Sequence, residues 1–249
     1  MDRLDILLQK SGLWRASSTD CGFRPGIPTG FAALNDKLPG NGWPADGITE
    51  LLYARHGIGE FRLLTPALAH LSRLERRWLL WVAPPFIPYA PALAAAGIEL
   101  STILVVRPDN HKDMLWVLEK ALGSGSCSAV LAWPEEVAPG QVRRLQVAAR
   151  EGKSWGIFLR SHQAARQASP AELRIQLGAA IASPFDEHTS INLKILKRRG
   201  GWETNWFSIP FGDRLNQITP DFSELIVNKR TTMNRQSLPR RPAHINAGN

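Results

Sequence analysis

The chain is expected to be an α/β protein: a mostly parallel sheet flanked by helices, then a C-terminal antiparallel β extension and a disordered basic tail. Three features of the 249 residues lead there. From about residue 47 to residue 160, short apolar runs alternate with segments whose apolar residues recur every three or four positions, the pattern of buried parallel strands joined by helices. After Pro170 the helical spacing stops and strand-like segments follow one another. From about Pro220 onward apolar residues are too sparse to offset the entropy of ordering the chain.

Residues 3–9 fit a short amphipathic helix with Leu4, Leu7 and Leu8 on one side, and Ser11 to Gly30 reads as a linker or surface strap. The stretch "LPGNGWPADG" (38–47) is a turn-dense loop in which Gly and Pro supply unusual backbone angles. "ITELLY" (48–53) is the first strong strand. Phe61, Leu64, Ala67, Leu68, Leu71 and Leu74 then mark a helix packed on a sheet, with Pro66 placing its regular start near Thr65. "WLLWVA" (78–83) is a strand, "APALAAAG" (90–97) a helix ending on Gly97, and "TILVV" (102–106) a strand. Asn110 caps a helix whose apolar face is Met114, Leu115, Val117, Leu118, Ala121 and Leu122. "AVLAW" (129–133), a helix over 140–151 closed by Gly152, and "WGIFLR" (155–160) complete the alternation. "LRIQLGAAIA", "INLKILKRRGG" and "WETNWFSIPF" are strands, the last two a hairpin turning at Gly200-Gly201. These boundaries divide the chain into an N-terminal helix and linker (1–30), a core (31–215, with the β extension from about 172) and a tail (216–249).

Composition narrows the function classes. No apolar run approaches the length of about 20 residues that spans a bilayer, and "MDRLDILLQK" is too charged and too short for a secretory signal. A cytoplasmic protein without membrane contact is the expectation. Cys21 and Cys127 form neither a C-x-x-C pair nor a cluster with His, so no disulfide framework and no metal site is expected. The net charge of +8 includes five basic residues, and no acid, between Asn228 and Asn249, which leaves the rest of the chain at only +3.

One loop poses a chemical question. "GITELLYARHGIGEFRLL" (47–64) has the strand, glycine loop and helix start of a phosphate-binding P-loop, G-x-x-x-x-G-K-[ST]. Against that pattern Ala54 replaces the first glycine, Gly59 keeps the second, Glu60 stands at the lysine and Phe61 at the magnesium-binding hydroxyl. Two unit charges about 4 Å apart interact by roughly 4 kcal/mol at an effective dielectric near 20, so a glutamate there reverses a term of that size. Glu60 has two readings: an acidic residue favoured at a helix N-terminus, or a tether for a basic partner. The acids of a nucleotidase are missing as well, since "WLLWVAPPF" leads into Pro84-Pro85 and "AVLAW" ends in Trp133. No catalytic group and no cofactor are expected.

These residues carry a resemblance. "TGFAALNDKLPGNGWPADGITELLY" (29–53), with "LWRAS" (13–17) and "LKILKRRGG" (193–201), closely resembles the ImuA family, RecA-related accessory proteins of bacterial mutagenic translesion synthesis. Residues 47 to about 170 are similar in addition to SulA, a cell-division inhibitor of the same superfamily. The ImuA resemblance implies a RecA-like core without ATPase activity, with Pro85 at the catalytic carboxylate and Trp133 at the metal-organising aspartate. It further implies an adaptor in DNA repair after DNA damage, under the SOS response. Its partners would be an ImuB-like polymerase relative and an alternative DNA polymerase III α-type subunit, with association to RecA or to itself through RecA-type surfaces, in a cytoplasmic and nucleoid-associated setting. The SulA resemblance implies the alternative, an inhibitor of cell division that binds the tubulin-like FtsZ.

Contact candidates follow from composition. Leu8 and Trp14 are apolar anchors on a segment too short to fold alone. Lys194, Lys197, Arg198 and Arg199 form a basic strand end suited to an acidic partner or to DNA phosphate, or else a charged edge that resists strand pairing. Lys229, Arg230, Arg235, Arg240 and Arg241 give the tail an arginine-rich surface for a partner, with DNA phosphate as the weaker alternative. Trp202 and Trp206 beside that cluster are read as sheet core, with stacking on bases as the alternative, His56 is expected on the surface, and Arg143, Arg144 and Arg150 on a solvated helix face.

Overall fold

A computed structural model describes residues 25–181 and 190–211. The helix expected over residues 3–9, Cys21, Leu8, Trp14 and the basic tail with Lys229, Arg230, Arg235, Arg240 and Arg241 lie outside the described residues.

Eight strands form one mixed sheet: β1 (Ile48–Tyr53), β2 (Trp78–Val82), β3 (Ile103–Val106), β4 (Cys127–Ala132), β5 (Trp155–Ser161), β6 (Leu173–Ile181), β7 (Ser190–Lys197) and β8 (Phe207–Pro210). Their order is β3-β2-β4-β5-β1-β6-β7-β8, with every pairing from β3 to β6 parallel and β6-β7-β8 antiparallel. The helices are α1 (Ala32–Asn35), α2 (Glu60–Leu74), α3 (Ala90–Ala95), α4 (His111–Gly123) and α5 (Pro139–Glu151). The path from β1 to β2 to β3 runs toward one edge, and the return through β4 and β5 runs the other way. Right-handed crossovers therefore put α2 on one face and α4 with α5 on the other.

Side-chain alternation along the strands divides the core accordingly. Leu51, Tyr53, Leu79, Trp81, Leu131, Ile157 and Leu159 meet Leu63, Leu64, Ala67, Leu68 and Leu71 of α2. Ile48, Leu80, Val82, Val130, Ala132 and Phe158 meet Met114, Leu118, Leu122, Val142, Leu145 and Ala149 of α4 and α5. In β7 the alternation changes meaning: Ile191, Leu193 and Ile195 are buried, while Asn192 and Lys194 face outward, as in an antiparallel sheet covered on one side. Cys127 is buried, and burial pushes its thiol up, so it behaves as a small apolar residue.

Several expectations are met by identifiable contacts. The Asn110 side chain accepts the Asp113 N–H at 3.0 Å, and Gly97 terminates the turn after α3 with φ of 84°. The hairpin forms, with Ser190 opposite Pro210 and Leu193 opposite Phe207. Other expectations need correction. The helix begins at Glu60, not near Thr65, and Pro66 sits inside it. The ring lacks the N–H that would bond to the Arg62 carbonyl, yet it lies against Gly30, where any Cβ would collide with it, so packing offsets the lost bond. Trp202 and Trp206 are 88% and 49% exposed, because the chain between the hairpin strands runs outside the ladder. The face of α5 is not merely solvated: Arg144 pairs with Glu119 at 2.6 Å and Arg150 with Glu172 at 3.4 Å. Among the described residues no helix is long and apolar enough to cross a membrane.

Candidate functional site

The carboxyl ends of the parallel strands are where open α/β sheets place their ligands. Between β1 and α2 the loop residues Gly57 and Gly59 take φ of 79° and 112°, angles that only glycine adopts at little cost. These angles turn two backbone amides inward, as a phosphate loop does. The occupant is Glu60, 4% exposed, whose carboxylate accepts the Gly57 N–H at 2.8 Å and the Gly59 N–H at 3.1 Å. The reading of Glu60 as a tether for a basic partner is thereby corrected, since its oxygens are committed to its own loop. Behind it, burial and then the Glu60 charge push the Tyr53 phenol far above its ordinary value, and its hydroxyl lies 3.0 Å from His56 Nδ1. His56 is exposed, as expected, and its ring lies against Tyr53 and, at 5.6 Å between centroids, Phe86.

The aromatic side chains of Phe61 and Trp133 come together. Phe61 stacks on Trp81 at 5.2 Å and on Trp133 at 5.9 Å. Trp81 is 3% exposed and its indole N–H meets no acceptor. Against this wall runs the loop Pro84-Pro85-Phe86-Ile87-Pro88-Tyr89, and the two enclose a groove of about 570 Å³. Phe86 is 68% exposed and Ile87 is 85% exposed. Three prolines fix the backbone and remove N–H donors, so the loop presents these apolar side chains with little conformational freedom to lose. Exposed apolar surface gathered around a groove is the mark of an interaction site.

A second cavity of about 600 Å³ adjoins the groove, sharing His56, Pro85 and Trp133, and its other walls include Arg55, His111, Glu135, Arg160 and Ser161. Beneath it lies a buried ionic cluster. Glu50 of β1 is fully buried and receives Arg160 of β5 and Arg174 of β6, each at 2.7 Å. Removing one partner of such a cluster costs about 3–5 kcal/mol, because the rest is left charged and uncompensated.

The other candidates are dispersed, and the fold itself uses most of them. Lys194 lies 3.6 Å from Glu203, the Lys197 ammonium donates to the Ser169 carbonyl at 2.8 Å, and Arg198 donates to the Lys37 carbonyl. Burial, then Arg174, lowers the Lys197 pKa. Arg199 lines a separate polar cleft with Arg150 and Glu172. The glycines of "LPGNGWP" have a structural role too, since a Cβ on Gly42 would collide with the Ile27 backbone. No group of three His, Cys, Asp or Glu side chains among the described residues is arranged to hold a metal. The sequence reading missed the groove. Its signal was the string "PPFIPYAP", which sets apolar side chains among prolines where neither strand nor helix needs them.

A family model, "Cell division inhibitor SulA", matches residues 47–156, from the strand before the altered loop to the start of β5. The cell division inhibitor SulA of Yersinia enterocolitica is 33% identical over 113 residues, which are 45% of this chain and 67% of that protein. SulA of Serratia proteamaculans is 31% identical over 133 residues, 53% of this chain and 79% of that protein. The crystal structure of SulA from Pseudomonas aeruginosa is 27% identical and covers 45% of this chain and 97% of that one, with a TM-score of 0.39. The family model and the Yersinia and Serratia relatives overturn the ImuA resemblance. The translesion and repair role, the ImuB-like, polymerase, RecA and DNA partners, and the nucleoid setting go with it.

Proposed function

The chain belongs to the SulA family of cell division inhibitors, and we propose that it inhibits division by binding the tubulin-like FtsZ at the apolar groove between Phe61, Trp81, Trp133 and the 84–89 loop. One observation carries this reading: Phe86 and Ile87 stand exposed on a proline-stiffened loop beside an aromatic wall, within the stretch that the family model matches. Burying each of two such side chains contributes about 1.5–3 kcal/mol, enough for them to dominate an interface.

The rest of the reading follows from it. The core is a RecA-like scaffold whose phosphate loop is filled by Glu60, so the protein works by occupancy and not by turnover. Its setting is the cytoplasm, where FtsZ would be met, and the SOS response. The core is read as residues 31–215 together with the strap at 25–30, whose Ile27 is buried and whose Gly30 lies against Pro66, and the segments before and after are read as appendages. Leu8, Trp14 and the tail residues Lys229, Arg230, Arg235, Arg240 and Arg241 supply secondary contacts to the same partner, and Lys194 and Arg199 are further candidates at the hairpin. The test is sedimentation of GTP-assembled FtsZ. Stoichiometric protein should reduce the pelleted fraction, and the Phe86→Ala, Ile87→Ala double variant should not. Full assembly in the presence of excess wild-type protein would overturn the reading.

A further inference from the structure

The two arginines that hold Glu50 are not equivalent. Arg174 uses all three guanidinium nitrogens: Nε to Glu50 at 2.7 Å, Nη1 to the Gln167 carbonyl at 3.0 Å and Nη2 to the Ala164 carbonyl at 2.7 Å. Arg160, only 6% exposed, gives Nη1 to Glu50 at 2.7 Å, and its buried Nε meets no acceptor. Two guanidinium groups face one carboxylate, so the buried cluster carries an excess of one positive charge. The excess resides at Arg160, because Arg174 is covered by carbonyl oxygens and Arg160 is not. A charge left in this state is costly unless something compensates it.

Arg160 lines the cavity of about 600 Å³ beside the apolar groove. Around the same cavity stand Arg55 and His111, and His111 is the first residue of the 13-residue helix α4, whose N-terminus adds positive potential. Ser161 accepts the Gln163 N–H at 3.3 Å, which leaves its own hydroxyl hydrogen to donate elsewhere. Asn110 gives one amide hydrogen to the Asp113 carboxylate and accepts the Asp113 N–H, so it is largely occupied in capping the helix. Glu135 is the one acid on the lining, and it is exposed at the rim. The phosphate position of the neighbouring loop is closed by Glu60, so an anion entering here meets Arg160 and not the loop amides.

We propose that this cavity is a binding site for one compact oxyanion, a carboxylate or a phosphate, held by Arg160 with Arg55 and the Ser161 hydroxyl. The anion comes either from an acidic side chain presented by a macromolecule in the adjoining groove or from free phosphate. The proposal does not depend on FtsZ being the partner.

The test observes the Arg160 Nε–H directly, by arginine side-chain nitrogen NMR on the full chain, at constant ionic strength. Two probes are titrated separately: inorganic phosphate and the blocked dipeptide acetyl-Leu-Asp-amide. A saturable shift of the Arg160 resonance is expected with at least one probe, weakened about tenfold in Arg55→Ala. Saturation with the dipeptide alone assigns the site to an acidic side chain, and saturation with phosphate alone assigns it to the free anion. Arg160 is left in place because it supplies the observed resonance and holds Glu50, and the exposed Arg55 carries the substitution. Shifts that grow linearly with either probe and match those with chloride would overturn the proposal. So would a saturable shift unaltered by Arg55→Ala.

Discussion

The Glu60 carboxylate accepts the backbone N–H of Gly57 at 2.8 Å, closing from within a loop shaped to receive an anion. A second bond, from the Gly59 N–H at 3.1 Å, completes the closure. A phosphate loop provides inward amides and a helix N-terminus, and both favour negative charge. Here the negative charge is a residue of the same chain, supplied at no cost in binding entropy. The carboxylate that would repel a nucleotide is therefore what stabilises this loop.

The first prediction is that Glu60→Ala destabilises the fold by about 2–4 kcal/mol, since it leaves two inward amides without an acceptor. Glu60→Lys should not create ATP binding, because Phe61 beside it still offers no hydroxyl to a metal and stays packed on Trp81 and Trp133. Chemical denaturation measures the first effect and calorimetry with magnesium and ATP the second. Micromolar ATP affinity in Glu60→Lys would show that the charge at residue 60 alone had excluded the nucleotide.

A second prediction concerns the groove. Phe86→Ala with Ile87→Ala should weaken FtsZ binding by about a hundredfold while leaving the melting temperature unchanged, because both side chains are exposed and contribute to docking and not to the core. Interferometry and thermal unfolding on one preparation would separate the two quantities. A fall in melting temperature equal to that of a core variant would mean that the loop belongs to the fold.

The alternating β and α pattern was legible because periodicity records which side of each element is buried, and caps such as Asn110 and Gly97 act locally. What depended on distant contacts was not legible. Pro66 stays inside α2 because Gly30 lies against its ring. Glu50 was hidden in "ITELLY" as one polar residue in an apolar strand, and its partners stand 110 and 124 residues away. The altered P-loop could be read residue by residue, but nothing local revealed that Glu60 turns back onto Gly57. The groove was missed because residues 84–85 were read for an absent acid, and not for the apolar residues that follow.

The buried cluster gives a third prediction. Glu50→Gln should cost about 3–5 kcal/mol, as it leaves Arg160 and Arg174 without their carboxylate. Replacing Glu50, Arg160 and Arg174 together by Met or Leu should cost less than the single change, because no charge then remains buried. Urea denaturation of the two variants gives the comparison directly. A triple variant less stable than Glu50→Gln would mean that the ionic cluster contributes net stability beyond the apolar packing that replaces it.

The fourth prediction is alkaline. Tyr53 is 4% exposed, and burial, with the Glu60 charge second, raises the pKa of its phenol far above the ordinary value near 10. In the folded state the proton is held more tightly than in the unfolded chain, so above pH about 10 the unfolded state loses it first. Each further unit of pH then favours unfolding by about 1.4 kcal/mol until the folded phenol also ionises. Stability should therefore be level below pH 10 with respect to this group and fall above it. Tyr53→Phe removes the titrating proton and should flatten that alkaline limb, at the cost of the contact to His56 Nδ1. Denaturation midpoints from pH 8 to pH 11.5 measure the slope in both proteins. An alkaline limb of equal steepness in Tyr53→Phe would remove Tyr53 as its source.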